Sequence, residues 1–405
     1  MVTPDPKPTC DIFCRVIDNY GDIGVCWRLA RQLCEEHGWR VRLWVDDLRV
    51  CAQLVQGEVV EGIELHAWHD ASPATPPRPH ERRAEFLAST LESSAPSPLA
   101  GEGQGERAAP LPASVVIEAF ACELPDRYVA AMTAMARQPV WLNLEYLCVE
   151  DWGPSFHLQP SPHPRLPLLK HFFVPGIAPG TGGLLREANL SARRQRFDAA
   201  AARRTYAADT AGRWVFLFCY DNPALPWLLD AWADGDQAVH CLVAAGKANA
   251  QVSAWLGNAL PPSHGARRGA LHLHALPFVP QRDFDQLLWT CDLNLVRGED
   301  SFSRALWAAR PFVWQLYPQQ DAAHHTKLAA FHKNYAAPEA LQAFSNLWNG
   351  IAVPTPENVA RSWQALDAAL PALQAHAQTC LPRFEAVGKL AENLVDFCRR
   401  TGNIS

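Results

Sequence analysis

The chain has 405 residues, 48% of them hydrophobic, which is more than one core ordinarily holds and ample for two. Its formal charge of −6 argues against a nucleic-acid partner, because neutralising phosphates requires a basic face. Twelve cysteines form no CxxC pair and no Cys/His set with zinc spacing, the N-terminal stretch MVTPDPKPTCD lacks the apolar core of a signal peptide, and no apolar run approaches the length of a membrane span. The expectation is a reduced, soluble, cytoplasmic protein that binds no metal and no membrane.

Residues 11–17 (DIFCRVI) predict a strand, and 23–36 a helix with apolar groups at Ile23, Cys26, Trp27, Ala30, Leu33 and Cys34, stopped by Gly38. In the turn between them, Asp18 and Asp22 bracket Asn19, Tyr20 and Gly21, where a nucleotide-binding fold would place glycines. On the residues alone, Asp22 as a helix N-cap and Asp18 as an Asx turn is the favoured reading. Strands follow at 39–45, 114–120 and 139–147. Between Ser72 and Pro112 lie eight prolines and the tract GEGQGE, which no strand precedes and no amphipathic helix follows. It reads as a flexible insertion, not a phosphate loop.

After a linker at 175–187 the pattern restarts. Strands are predicted at 213–220, 239–246, 271–279, 292–296 and 311–317, with helices at 283–291 and 301–309 between the later ones. Two halves of alternating strands and helices imply parallel sheets and an α/β protein built from twin Rossmann-like domains around a cleft. A last helix is predicted at 383–400, with Phe384, Val387, Ala391, Leu394 and Cys398 as its apolar stripe.

The second half holds the chemistry of a donor site. Arg297, Gly298, Glu299, Asp300 and Ser301 follow a strand and open a helix, a placement that sets backbone N–H groups beside a basic side chain and suits a diphosphate. Taken alone, Asp300 or Ser301 is an ordinary cap. Upstream, Phe278 and Gln281 sit at a strand end and Phe284 just inside a helix. There one aromatic could stack on a base and the amide bond to its edge, although core packing is the commoner fate of such phenylalanines. Phe218 and Tyr220 share one face at the end of the 213–220 strand, where ligands enter open α/β sheets. The DGD at Asp234–Asp236 lacks a strand context and reads as a solvated turn. His272, His274, His324 and His325 lack metal-ligand companions and read as surface or supporting histidines.

The stretches DNYGDIGVCWRLA (18–30), TGGLLRE (181–187), FCYDNP (218–223), PFVPQRDFD (277–285) and RGEDSFSRALWA (297–308) closely resemble the bacterial elongation factor P arginine rhamnosyltransferase family. The resemblance spans nearly the whole chain apart from an insertion at about 93–112. It implies a GT-B glycosyltransferase with an acceptor-binding domain at 1–178, a nucleotide-sugar domain at 188–380, and a C-terminal helix at 383–405 packing back on the first domain. The implied reaction is inverting, metal-independent transfer of L-rhamnose from TDP-β-L-rhamnose to an arginine of translation elongation factor P, which equips that factor to rescue ribosomes stalled at polyproline. No cofactor is implied. By position, Asp22 matches the proposed general base and Asp18 a second required carboxylate, with Asn19, Tyr20 and Gly21 as the acceptor-side loop. Phe218, Tyr220, Gln281, Phe284, Arg297, Glu299, Asp300, Ser301 and Tyr317 match donor-lining positions, and Phe278 is a further candidate. The family motif often has Phe where Tyr20 stands. Competing readings are a GT-B enzyme with another nucleotide sugar and a small-molecule or lipid acceptor, and a non-catalytic protein-binding module. A nicotinamide oxidoreductase lacks its GxGxxG turn in both halves.

Overall fold

The computed structural model describes residues 7–17, 20–68, 111–262, 265–319 and 322–401, so the greater part of the 93–112 insertion lies outside the described residues. The first half runs β1 (Thr9–Cys14), α1 (Gly21–Glu35), β2 (Arg40–Val45), α2 (Leu48–Val55), β3 (Ile63–Ala67), β4 (Val115–Ala119), α3 (Asp126–Thr133), β5 (Val140–Leu144), α4 (Gly153–Phe156), β6 (Pro160–Pro162) and β7 (Leu169–Phe173). A connection carrying α5 (Leu190–Arg196) and α6 (Ala199–Arg204) leads to the second half. That half has β8 (Arg213–Leu217), α7 (Leu225–Ala233), β9 (Val239–Val243), α8 (Lys247–Leu256), β10 (Ala266–Arg268), β11 (Leu271–Ala275), α9 (Phe284–Thr290), β12 (Leu293–Arg297), α10 (Glu299–Ala308) and β13 (Phe312–Gln315). It closes with α11 (Ala323–Tyr335), α12 (Glu339–Trp348), α13 (Pro356–Glu385) and α14 (Leu390–Arg400).

The central strands are apolar without alternation because a parallel sheet is covered on both faces; β4 (VVIEA) and β9 (VHCLV) are buried along their whole length. The first sheet has the order β3-β2-β1-β4-β5-β7-β6 and the second β10-β11-β9-β8-β12-β13. Among the described residues, only β6 and β10 pair antiparallel with a neighbour. In a doubly wound sheet the crevice opens where the order reverses. Here that is at the carboxyl ends of β1 and β4 in one half, and of β8 and β12 in the other. Those four strand ends carry Asp22, Phe120, Phe218 with Tyr220, and Arg297.

The expected single helix at 383–400 is two. Helix α13 ends at Glu385, Gly388 turns the chain with φ +99°, and α14 begins at Leu390. Leu390, Ala391, Leu394, Val395 and Cys398 of α14 join the apolar core of the first half. All twelve cysteines are free thiols, and no helix among the described residues is long and apolar enough to cross a membrane.

Candidate active site

In the first half, α1 starts at Gly21, seven residues after β1 ends at Cys14. Tyr20 occupies its N-cap position without a side-chain cap, so Asp22 is not the cap that the residues alone favour but a first-turn carboxylate. Its Oδ2 accepts a hydrogen bond from the Ile17 N–H at 3.0 Å, and the residue is 4% exposed. Asp18 and Asn19 lie outside the described residues. The Tyr20 hydroxyl donates to Gln53 Oε1 at 2.5 Å, and its ring packs 4.9 Å from that of Phe278. Phe278 therefore meets the acceptor-side turn across the crevice, whereas Phe284 sits edge-on to Phe218 and Phe216 at 5.7 and 5.6 Å.

In the second half, β12 delivers Arg297 to the end of the sheet. Gly298 then turns into α10 with φ +67°, and Trp314 Nε1 donates to its carbonyl at 2.8 Å. The Arg297 guanidinium lies over the rings of Phe218 and Tyr220, 4.6 and 4.4 Å from their centroids. Tyr317 meets Tyr220 edge to face at 5.0 Å. A basic fork held against aromatic faces beside a helix start can take a diphosphate and an adjoining ring. Neither Asp300 nor Ser301 caps α10, since the Ser301 hydroxyl donates back to the Arg297 carbonyl. Glu299 accepts from the Leu147 N–H at 2.7 Å and from Lys327 Nζ at 2.9 Å, joining α10 to the first half and to α11.

Asp300 faces the other half directly. It receives Arg28 through Nε at 3.0 Å and a second guanidinium nitrogen at 3.2 Å. Gln281 donates to Asp300 at 3.2 Å and to the Gly24 carbonyl of α1 at 2.8 Å, while its buried Oε1 has no partner among the described residues. Arg28 also pairs with Glu187 at 2.8 Å. Glu187 in turn holds the fully buried Arg304, which forks onto Asp285. Burial alone would raise the Glu187 pKa, but Arg304 and Arg28 outweigh it and hold the carboxyl well below its usual range. Burial opposes the charge on Arg28 likewise, and Asp300 and Glu187 overcome it.

Position along α1 explains the arrangement. Gly24 and Arg28 are four residues apart and lie on one face of α1, and Glu36 follows at its C-terminal end. Gly24 meets Gln281, Arg28 meets Asp300, and Glu36 accepts from the Ala188 N–H at 2.8 Å. Beside this face a small crevice is lined by Val25, Phe120, Glu145, Leu147, Glu299 and Asp300. Burial raises the Glu145 pKa, partly offset by the Asn143 amide.

Sequence reasoning missed Arg28, Glu187, Asp285 and Arg304 as site residues. The signal was available, since all four lie in the stretches that carried the resemblance, and arginine on the otherwise apolar face of a helix needs a buried carboxylate. The DGD turn at Asp234–Asp236 is exposed. The histidines are not surface groups throughout: His272 and His274 stack with His240 on the second sheet, and His324 is buried, accepting from the Gln319 N–H.

The family described as Elongation-Factor P (EF-P) rhamnosyltransferase EarP matches residues 10–96 and 102–399. A protein-arginine rhamnosyltransferase of Pseudomonas putida is 43% identical over 98% of this chain and 100% of its own length. One from Pseudomonas aeruginosa is 40% identical over 96% and 98%. A solved structure described as the structural basis for EarP-mediated arginine glycosylation of translation elongation factor EF-P superposes with a TM-score of 0.62. It has 34% identity and covers 97% of this chain and 99% of that one. The two facing Rossmann-like sheets are a GT-B fold.

Proposed function

This chain belongs to the elongation-factor-P rhamnosyltransferase family, and on that premise we propose that it transfers L-rhamnose from TDP-β-L-rhamnose to one arginine of translation elongation factor P. The transfer proceeds with inversion at the anomeric carbon and without a metal, and it equips the factor to rescue ribosomes stalled at polyproline. Rhamnose transfer to protein arginine is the activity for which its 43% and 40% identical relatives are named. The observation that carries the finer reading is the contact between α1 and the loop that precedes α9. Gln281 reaches the Gly24 carbonyl at 2.8 Å, so the first-turn carboxylate of Asp22 stands beside the loop assigned to the donor.

The chemistry constrains what Asp22 does. Arginine is about 10 pKa units more basic than aspartate, so full proton transfer before attack would cost on the order of 14 kcal/mol. The carboxylates of Asp22 and Asp18 therefore hold and orient the guanidinium, and one takes the proton as the C1–N bond forms. The product is still a guanidinium, and the same carboxylates stabilise it. On the donor side, Arg297 and the α10 N–H groups receive the diphosphate as it leaves, which is charge stabilisation supplied by the protein. Phe218, Tyr220, Phe284 and Tyr317 frame its base and sugar.

The test is intact-mass spectrometry of elongation factor P incubated with the enzyme and TDP-L-rhamnose. A gain of one deoxyhexose, abolished when the acceptor arginine is changed to lysine, is the expected outcome. No gain, with TDP still raising the melting temperature, would overturn the acceptor and keep the donor site.

A further inference from the structure

The start of α10 is an unusual place for a diphosphate, because its first turn carries Glu299 and Asp300. Two carboxylates among the N–H groups of a helix start would repel a phosphate bound at contact distance. Each is countered from outside α10. Lys327 of α11, in the same half, binds Glu299 at 2.9 Å. Asp300 is countered from the opposite half by Arg28, forked onto it at 3.0 and 3.2 Å with only 4% of the side chain exposed. Arg28 also reaches Glu187 at 2.8 Å, a geometry that a lysine ammonium, a single compact charge, cannot reproduce on two carboxylates at once.

We infer that Arg28 is a positioning residue for the donor: by neutralising Asp300 from the acceptor-side half, it makes the start of α10 receptive to a nucleoside diphosphate. Donor affinity is thereby set partly by a helix that contributes no group to the donor. The same ion pair ties α1, the helix that carries Asp22, to the start of α10. The inference rests on the reading of the α10 start as the donor site.

Calorimetric titration with TDP decides it, using wild-type enzyme, Arg28→Lys, Arg28→Gln and the double variant Arg28→Gln/Asp300→Asn, with melting temperatures recorded for each. Arg28→Lys is expected to weaken TDP about tenfold, in the usual range for one coupling contact, and to raise the donor KM in parallel with a smaller change in kcat. Removing both charges together is expected to recover most of the affinity that Arg28→Gln loses, because the repulsion goes with Asp300. A purely structural arginine would lower the melting temperature and the active fraction while leaving the TDP affinity of folded enzyme unchanged; that result, or a double variant binding no better than Arg28→Gln, overturns the inference. Should Arg28→Gln not fold, Arg28→Lys against wild type carries the decision. Wild-type enzyme that binds no TDP would remove the donor reading and this inference together. TDP binding without rhamnose transfer would remove only the acceptor reading, and the Arg28 comparison would stand.

Discussion

Asp22 shows how a residue can be singled out from sequence for a geometry it does not have. Spacing favours an N-cap, but the cap position is Tyr20, and Asp22 turns instead to the Ile17 N–H from the first helical turn. An asparagine there keeps the shape and can still accept that hydrogen bond, so Asp22→Asn should fold normally and bind TDP normally. It cannot take a proton, and kcat is expected to fall by about 10²- to 10⁴-fold. Steady-state kinetics beside a TDP titration checks this, and near-normal turnover would remove the general-base role. Arg297, Phe218 and Tyr220 were legible as a group because strand ends at a sheet's switch point are fixed by topology. The partners of Gln281, Asp300 and Phe278 were not. All three look across to the other half, and nothing local in the chain specifies which side chain of a separate domain will stand opposite.

Among the elements, the central strands of both sheets were readable from period, while β3, β6, β7 and β10 and the end of the chain were not. The stripe through Phe384, Val387, Ala391, Leu394 and Cys398 keeps helical phase across a four-residue turn, which hides the break at Gly388. What shapes that break is a crossing of two backbones. The Leu390 N–H donates to the Leu184 carbonyl at 3.0 Å, and Asn393 Nδ2 to the Gly182 carbonyl at 3.0 Å. Gly183, with φ +76°, sits so close that an added Cβ would lie 2.4 Å from the Gly388 carbonyl oxygen. Gly183→Ala should therefore combine a left-handed backbone with a clash that no rotamer relieves, costing about 2–4 kcal/mol. A fall in melting temperature of roughly 5 °C or more follows for domains of this size. Gly57 has the same φ of +76° and nothing within 4 Å, so Gly57→Ala isolates the backbone cost and should lose about 1 kcal/mol. Equal losses in the two variants would show that the crossing contributes nothing.

For the molecule as a whole, the chain's charge said little about stability, because the groups that matter are buried ones of both signs. The Arg28–Glu187–Arg304–Asp285 chain joins the two halves, and its two arginines hold the Glu187 carboxyl well below its usual range. The histidines behave in the opposite way. His240, His272 and His274 stack on the second sheet, with Trp214 against His240 and His274. Burial, then the neighbouring imidazoles, lowers the pKa of His274 to about 4. Burial also lowers His240 and His272, and takes His332 in the second half and His157 in the first to about 4. The Nδ1 of His157 accepts the Val174 N–H at 3.1 Å, a bond that needs the neutral ring. In the unfolded chain these imidazoles take up protons near pH 6.5. Between there and about pH 4 the unfolded state thus binds more protons than the folded one, and stability must fall as pH falls through that window. Above pH 6.5 the rings are neutral in both states and their contribution is constant. The melting temperature is accordingly expected to be level from pH 8 to about 7 and to decline steadily below 6.5. The decline begins before the usual carboxylate range is reached. Replacing His274 with phenylalanine, which can keep the stack with Trp214 and His240, should flatten the decline without lowering the plateau by a comparable amount. A melting temperature that stays constant down to pH 5 would mean that these rings admit protons in the folded state, and the stacked cluster would have to be solvated.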